Sequence, residues 1–281
     1  MDRLDEAGFT VRARPAADES RLAAAVDAAF DASRLRENGY AYVSDLDDGR
    51  RVRYRATTDV YPASIVKVAI MTEVYRRFQE RLLRPDDLCV ISASNVTPTA
   101  EPTPCASGYR TTIEHLTALM IERSDNVATN QLIDVMGRES VTHTMRAMGL
   151  ANFHLGRKLS GAEPLVADPE ATGRNRMSPE DIGCLLELIA RDRVTGAARQ
   201  REILARCVDD RKLAAGLRSD DRFAHKTGET SDTNHDAGIL TTAAGRTYII
   251  VLYTWPAPPT DSAQRSEVQM ATWMRRLRQE L

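Results

Sequence analysis

Near its start the chain carries two runs of alternating side chains, NGYAYVSDL and RRVRYRATT, joined by Asp47-Asp48-Gly49. Alternation over such lengths marks strands with one buried face, and a short Asp-Gly link between them marks a hairpin. Three further strand-like runs lie near the end, RFAHKTGE, DAGILTTAAG and RTYIIVLYTW, with Gly245 in a turn. Helical periodicity and loops fill the space between. The two front strands and three back strands therefore pair into one antiparallel five-stranded sheet, and the fold class is α+β.

Helical spacing places Leu22, Val26, Ala29 and Phe30 on one stripe of a first helix over about residues 18–33. The amphipathic run SAQRSEVQMATWMRRLRQ closes the chain as a last helix, and both terminal helices flank the sheet. Arg275, Arg276 and Arg278 read there as a solvated face. Pro62-Ala63 leads into IVKVAIMTEVYRRF, which is apolar almost all round at first and so belongs in the middle of the fold. Ser178 as N-cap, Pro179 at the first helical position and Asp181 three residues on form a helix start. The stretches Ser92–Tyr109 and Leu155–Met177 read as long loops. With no flexible linker, the 281 residues form one domain of two lobes: an α/β lobe over about 18–62 and 212–281, and an all-helical lobe over about 63–211. A cleft between lobes is where ligand sites form.

The formal net charge is -2, from 38 basic and 40 acidic side chains, so nothing favours a nucleic-acid partner. No apolar stretch reaches signal-peptide or membrane-span length, and the expected location is the cytoplasm. Cys89, Cys105, Cys184 and Cys207 are widely spaced and read as free thiols, mostly buried. The five histidines show no ligand spacing, so neither a metal nor another cofactor is expected. No obligate protein partner is expected either.

Chemistry gathers at three short motifs. Ser64-Ile65-Val66-Lys67 puts a hydroxyl and an amine one helical turn apart. At a helix N-terminus, free N–H groups and the dipole favour negative charge developing at Ser64, and a lysine in apolar surroundings can serve as base. Ordinary composition yields about one SxxK by chance in a chain this long, so that pair alone carries little. Ser124-Asp125-Asn126 at a helix junction and Lys226-Thr227-Gly228 in a strand-like run follow it. Each alone is also a good helix cap or strand end. In the order SxxK, SDN, KTG they form the signature of serine acyl-transfer enzymes.

In these motifs, their separations of 60 and 102 residues, and the order of its elements, the chain resembles the class A β-lactamase-like, penicillin-recognising serine hydrolases. The resemblance implies an acyl-enzyme at Ser64, with Lys67 as base or relay. Ser124 would pass a proton to the leaving nitrogen and Lys226 would hold Ser124 and supply positive field. Asn126 would line the cleft and contact Lys67 and a substrate amide, Thr227 would bond a substrate carboxylate, and the N–H groups of Ser64 and Glu229 would form the oxyanion hole beside Gly228. The implied substrate is a small amide or ester, a β-lactam in the first instance. A cytoplasmic esterase, amidase, peptidase or acyl transferase of the same fold, or a sensor that stays acylated, is the alternative.

The match has departures. The family's deacylating loop glutamate corresponds most closely to Glu163-Pro164, which stands late for its spacing from Ser124, with Asp168 and Glu170 as weaker candidates. Glu229 stands where β-lactamases prefer a small residue. Asn234-His235-Asp236 stands where many members place a base. These changes imply a cleft more acidic than one built for a carboxylate-bearing substrate, and hence a substrate that lacks the carboxylate or carries positive charge.

Overall fold

The structure is a computed structural model that describes residues 3–4, 10–11, 16–99, 101–163, 165–256 and 262–281. A small ladder, β1 (Arg3–Leu4) with β2 (Thr10–Val11), precedes α1 (Ala16–Ser33). Strands β3 (Gly39–Asp45) and β4 (Arg51–Tyr54) form the front hairpin. Asp45 organises its turn: Oδ1 accepts from the N–H groups of Asp47 and Asp48, and Gly49 takes the left-handed φ of 72°.

Next come α2 (Lys67–Gln79), a short ladder of β5 (Leu88–Val90) and β6 (Arg110–Thr112), then α3 (Ile113–Glu122), α4 (Asn126–Met136) and α5 (Arg138–Ala147). Helices α6 (Pro179–Ala190) and α7 (Ala197–Leu204) follow, and β7 (Arg222–Glu229), β8 (Asn234–Thr241), β9 (Thr247–Thr254) and α8 (Ser262–Arg278) complete the chain. The β5–β6 ladder closes the neck of the loop that the Ser/Thr/Pro-rich composition predicts. The expected start of α6 is present as a capping box, Ser178 Oγ accepting from the Asp181 N–H while the Asp181 carboxylate accepts from the Ser178 N–H.

The five-stranded sheet is antiparallel throughout, in the order β4-β3-β9-β8-β7. Alternation sorts its side chains into two cores. Ala41, Val43, Leu240, Ile250 and Leu252 face α1 and α8, where Phe30 and Trp273 are fully buried and meet edge to face. Truncating either aromatic to Ala would cost about 3–5 kcal/mol. Tyr42, Ala237, Ile239, Ile249 and Val251 face the opposite way, toward α6 and the helical block. Gly183 of α6 permits the close approach, since a Cβ there would lie 2.3 Å from the Tyr42 ring.

The last helix departs from its expected solvated face at one residue. Arg278 is buried and forms a two-pronged ion pair with Asp221, both contacts at 2.8 Å, tying α8 to the start of β7. Strand β7 is an edge strand of the sheet, and its free edge faces the turn that leads into α2. That junction between sheet and helices is where the three motifs meet.

Candidate active site

Ser64 lies in a single 3-10 turn, Ala63–Val66, that runs directly into α2. The turn opens with Ala63 in the left-handed region at φ 47° and is closed by the Ile65 N–H donating to Pro62 O at 3.0 Å. Every residue from Lys67 to Tyr75 is buried, so α2 runs through the core directly from the turn that carries Ser64. Lys67 is the first residue of α2 and is completely enclosed.

The junction between α3 and α4 supplies the second motif. Asp125 caps α4, its Oδ1 accepting from Ala128 N at 2.9 Å while Oδ2 accepts from the Thr103 hydroxyl. Asp125 is thus structural, as a helix cap should be. Ser124, just before it, adopts the left-handed φ of 54°. That backbone turns both its carbonyl and its hydroxyl onto the Lys67 ammonium, at 2.7 and 3.1 Å, and Asn126 Oδ1 receives the third donor at 2.8 Å. Burial pushes the Lys67 pKa well below its usual value, and the nearby Lys226 charge pushes it further. In its neutral form the amine can accept the Ser124 proton, so this contact runs in either direction. The Ser64 hydroxyl itself makes no hydrogen bond among the described residues and is left facing the cleft.

Strand β7 brings in the third motif. Gly228 is needed here: an added Cβ would lie 3.0 Å from Pro62 O and 3.2 Å from Ser64 N. Glycine thereby lets the strand touch the turn that carries Ser64. Lys226 is fully buried and its pKa is lowered, chiefly by burial. Its Nζ donates to the Thr227 carbonyl at 2.8 Å. The expected hydrogen bond from Lys226 to Ser124 is absent among the described residues, so the resemblance and the geometry differ on that contact. Asn126, Thr227, Gly228 and Glu229 all line the cleft with Ser64, Ser124 and Lys226. Its volume is about 800 Å³.

A side chain with no motif of its own completes this wall. Lys212, fully buried, directs its ammonium at Gly228 O (3.4 Å), Glu229 Oε2 (3.2 Å) and Asp209 Oδ2 (3.6 Å). Its neighbours in DDRKLAAGL carry no motif that would single it out, and only the tertiary packing encloses it. The expected excess of acid is correspondingly reduced. Glu229 is paired with Lys212, and Asp236 does not face the cleft at all. Asp236 is buried, bonding His225 Nδ1 at 2.8 Å and the Leu213 N–H at 3.0 Å.

The loop between α5 and α6 forms the opposite rim. Asn130 grips it with two 2.8 Å bonds, Nδ2 to Leu159 O and Oδ1 from Leu159 N, and Asn175 Oδ1 accepts from Gly156 N and Arg157 N. Glu163 lies on this rim and lines the cleft, but its side chain is exposed and accepts from its own loop at Leu165 N, 3.1 Å. Pro164 lies outside the described residues. Asp168 is committed to Arg138 at 2.8 Å and to Lys158 N at 2.8 Å. Burial would raise its pKa, but those two contacts hold it below the usual range. Glu170 is exposed on the surface, 4.0 Å from Arg138. Among the described residues no three His, Cys, Asp or Glu side chains converge as a metal site requires, and all four cysteines are free thiols. No helix among them is long and apolar enough to cross a membrane.

Fold and site together define a β-lactamase-like serine hydrolase architecture, with SxxK, SDN and KTG on one cleft. Residues 21–272 match the β-lactamase enzyme family, and the chain belongs to that family. A β-lactamase of Streptomyces lavendulae is 30% identical over 217 residues, covering 70% of this chain and 67% of that one. The β-lactamase regulatory protein BlaB of Streptomyces cacaoi is 24% identical over 293 aligned residues, covering 86% and 92% respectively. Among solved structures, PBP-A superposes with a TM-score of 0.79 at 22% identity, over 95% of this chain and 96% of its own.

Proposed function

We propose that this protein is a serine acyl-transfer hydrolase in which Ser64 attacks a strained or activated amide or ester, a β-lactam being the first substrate to test. The Ser64 Oγ–acyl bond forms, the carbonyl carbon's bond to its leaving nitrogen or oxygen breaks, and the Ser64 proton passes by Lys67 and Ser124 to the leaving atom. Lys226 supplies positive field beside developing negative charge. The N–H groups of Ser64 and Glu229 stabilise the oxyanion, and Asn126 and Thr227 orient the substrate. Water then releases the acyl group and restores Ser64. The observation that carries this reading is the enclosed Lys67 amine, held on Ser124 and Asn126 one turn from a free Ser64 hydroxyl.

One observation favours a second reading, in which the acyl-enzyme persists and the protein acts as a sensor or transfers its acyl group to another acceptor. Glu163, the best-matched loop acid, is exposed and bonded within its own loop, so it is not held ready as a base for attacking water. Intact mass followed over time with a penicillin and with a chromogenic cephalosporin separates the readings. An adduct that depends on Ser64 and disappears with turnover supports hydrolysis. A lasting adduct supports the second reading, and no adduct in wild type with either probe removes β-lactams from the substrates.

A further inference from the structure

The cleft does not stop at Gly228. It continues past Glu229 along Thr230, Thr233 and Asn234 to Ser266 of α8. Two features there bear on what the leaving-group side of a substrate can be.

The first is the state of the buried cation. The three N–H donors of Lys212 face Gly228 O, Glu229 Oε2 and Asp209 Oδ2, so two carboxylates of the chain already surround it. Arg211, next to it, is likewise committed, to Asp209 at 2.8 Å and Glu267 at 3.1 Å. Asp209, Glu229 and Glu267 are matched by Lys212, Arg211 and the buried Lys226, so no net positive charge is left at this end of the cleft. A ligand carboxylate brought to this place meets a neutralised cation and the Glu229 carboxylate at contact range, which is repulsive.

The second is Asn234. It stands directly across from Glu229 in the β7–β8 register, on the same face, and is 2% exposed. Neither its Nδ2 nor its Oδ1 has a hydrogen-bond partner among the described residues, although the residue lines the cleft. A buried side-chain amide with neither group partnered can donate from Nδ2 to a neutral carbonyl, of an amide or ester, and can accept at Oδ1 from an amide N–H, whereas an anion offers nothing to Oδ1.

We propose that the cleft beyond Gly228, with Glu229 and Asn234 as its specificity-determining residues, binds the neutral amide or ester continuation of a substrate's leaving group and disfavours a terminal carboxylate. The substrate class is then an internal or blocked acyl donor, not one that ends in a free acid beside the scissile bond. Which bond is cut rests on the reading of Ser64 given above; the binding preference does not.

The test is equilibrium binding to the Ser64→Ala protein, which cannot be acylated, with penicillin G and its methyl ester as a matched charged and neutral pair. The ester is expected to bind about tenfold more tightly than the acid at low salt, with the gap narrowing in 1 M NaCl. Adding Glu229→Gln is expected to close most of that gap by strengthening acid binding, and Asn234→Ala to weaken the ester while leaving the acid unchanged. Glu229 is 45% exposed at a strand end, so its replacement is compatible with folding, and Glu229→Thr serves as a second variant. An acid that binds as tightly as the ester overturns the proposal. So does a ratio unmoved in both Glu229 variants, or no binding of either compound at millimolar concentration. If the preference holds while the wild-type protein is acylated by neither probe, β-lactams leave the substrates proposed for Ser64 and this assignment stands.

Discussion

The ammonium of Lys67 is clamped by a single residue, Ser124, through both its carbonyl at 2.7 Å and its hydroxyl at 3.1 Å. Ser124 makes that double contact from the left-handed φ of 54°, a conformation that costs a non-glycine residue about 1 kcal/mol or more.

Replacing Lys67 by Arg retains the charge and removes the ability to give up a proton. Acylation of Ser64 by a penicillin is expected to fall by about 100-fold or more. In the wild type the acylation rate should rise with pH through the Lys67 pKa, at a value below the ordinary lysine range, because the neutral amine is the active form. A pH profile shared by wild type and Lys67→Arg would remove Lys67 from the proton path.

Gly228→Ala places a methyl group 3.0 Å from Pro62 O and 3.2 Å from Ser64 N, so strand and nucleophile turn must separate by a few tenths of an ångström. Acylation is expected to slow about 10- to 100-fold, with a small change in melting temperature, since the reacting geometry suffers more than the core. Unchanged acylation with intact folding would show that the contact is not needed for chemistry.

Glu163→Gln is expected to leave the lifetime of any acyl-enzyme within about twofold of wild type, because the exposed carboxylate is bonded to Leu165 N of its own loop. The measurement is decay of the Ser64 adduct by mass after substrate removal. A large increase in lifetime would assign Glu163 the deacylation role despite its exposed position.

His235 sets a stability limit in acid. Its Nε2 donates to Tyr61 O at 2.8 Å, its Nδ1 accepts from Thr254 N at 3.2 Å, and its ring stacks on Tyr253. A neutral imidazole satisfies both contacts, and burial pushes its pKa down to about 4. The unfolded chain takes up this proton near pH 6.5, so stability is full above that and declines as pH falls toward 4. The loss amounts to about 3 kcal/mol. Urea unfolding at pH 7 and pH 4.5 should show a smaller acid loss for His235→Asn than for wild type, and equal losses would sink the assignment.

Much of the fold was legible in the chain because its signals are local. Asp47-Asp48-Gly49 turns whatever it is embedded in, Ser178 and Asp181 cap the helix that follows them, and alternation sorts side chains to the two faces of a sheet. The three motifs were legible for a related reason: each is a short segment, so spacing alone puts Ser64 one turn before Lys67 and Asn126 two residues after Ser124, whereas the contact of Lys67 with Ser124 and Asn126 joins segments far apart in the chain.

What the tertiary structure alone decided is everything that depends on enclosure. Lys212 lies in a run that carries no motif, and it is buried because β7 and the segment before it fold over its ammonium. Asp236 looked like an acid in the cleft and instead turns inward to His225. Glu163 matched a motif, but its side chain is exposed at the rim and accepts from Leu165 N of its own loop. Sequence carries the identity and spacing of these charges. Their energies depend on how much water each one loses, and that is set by contacts between segments far apart in the chain.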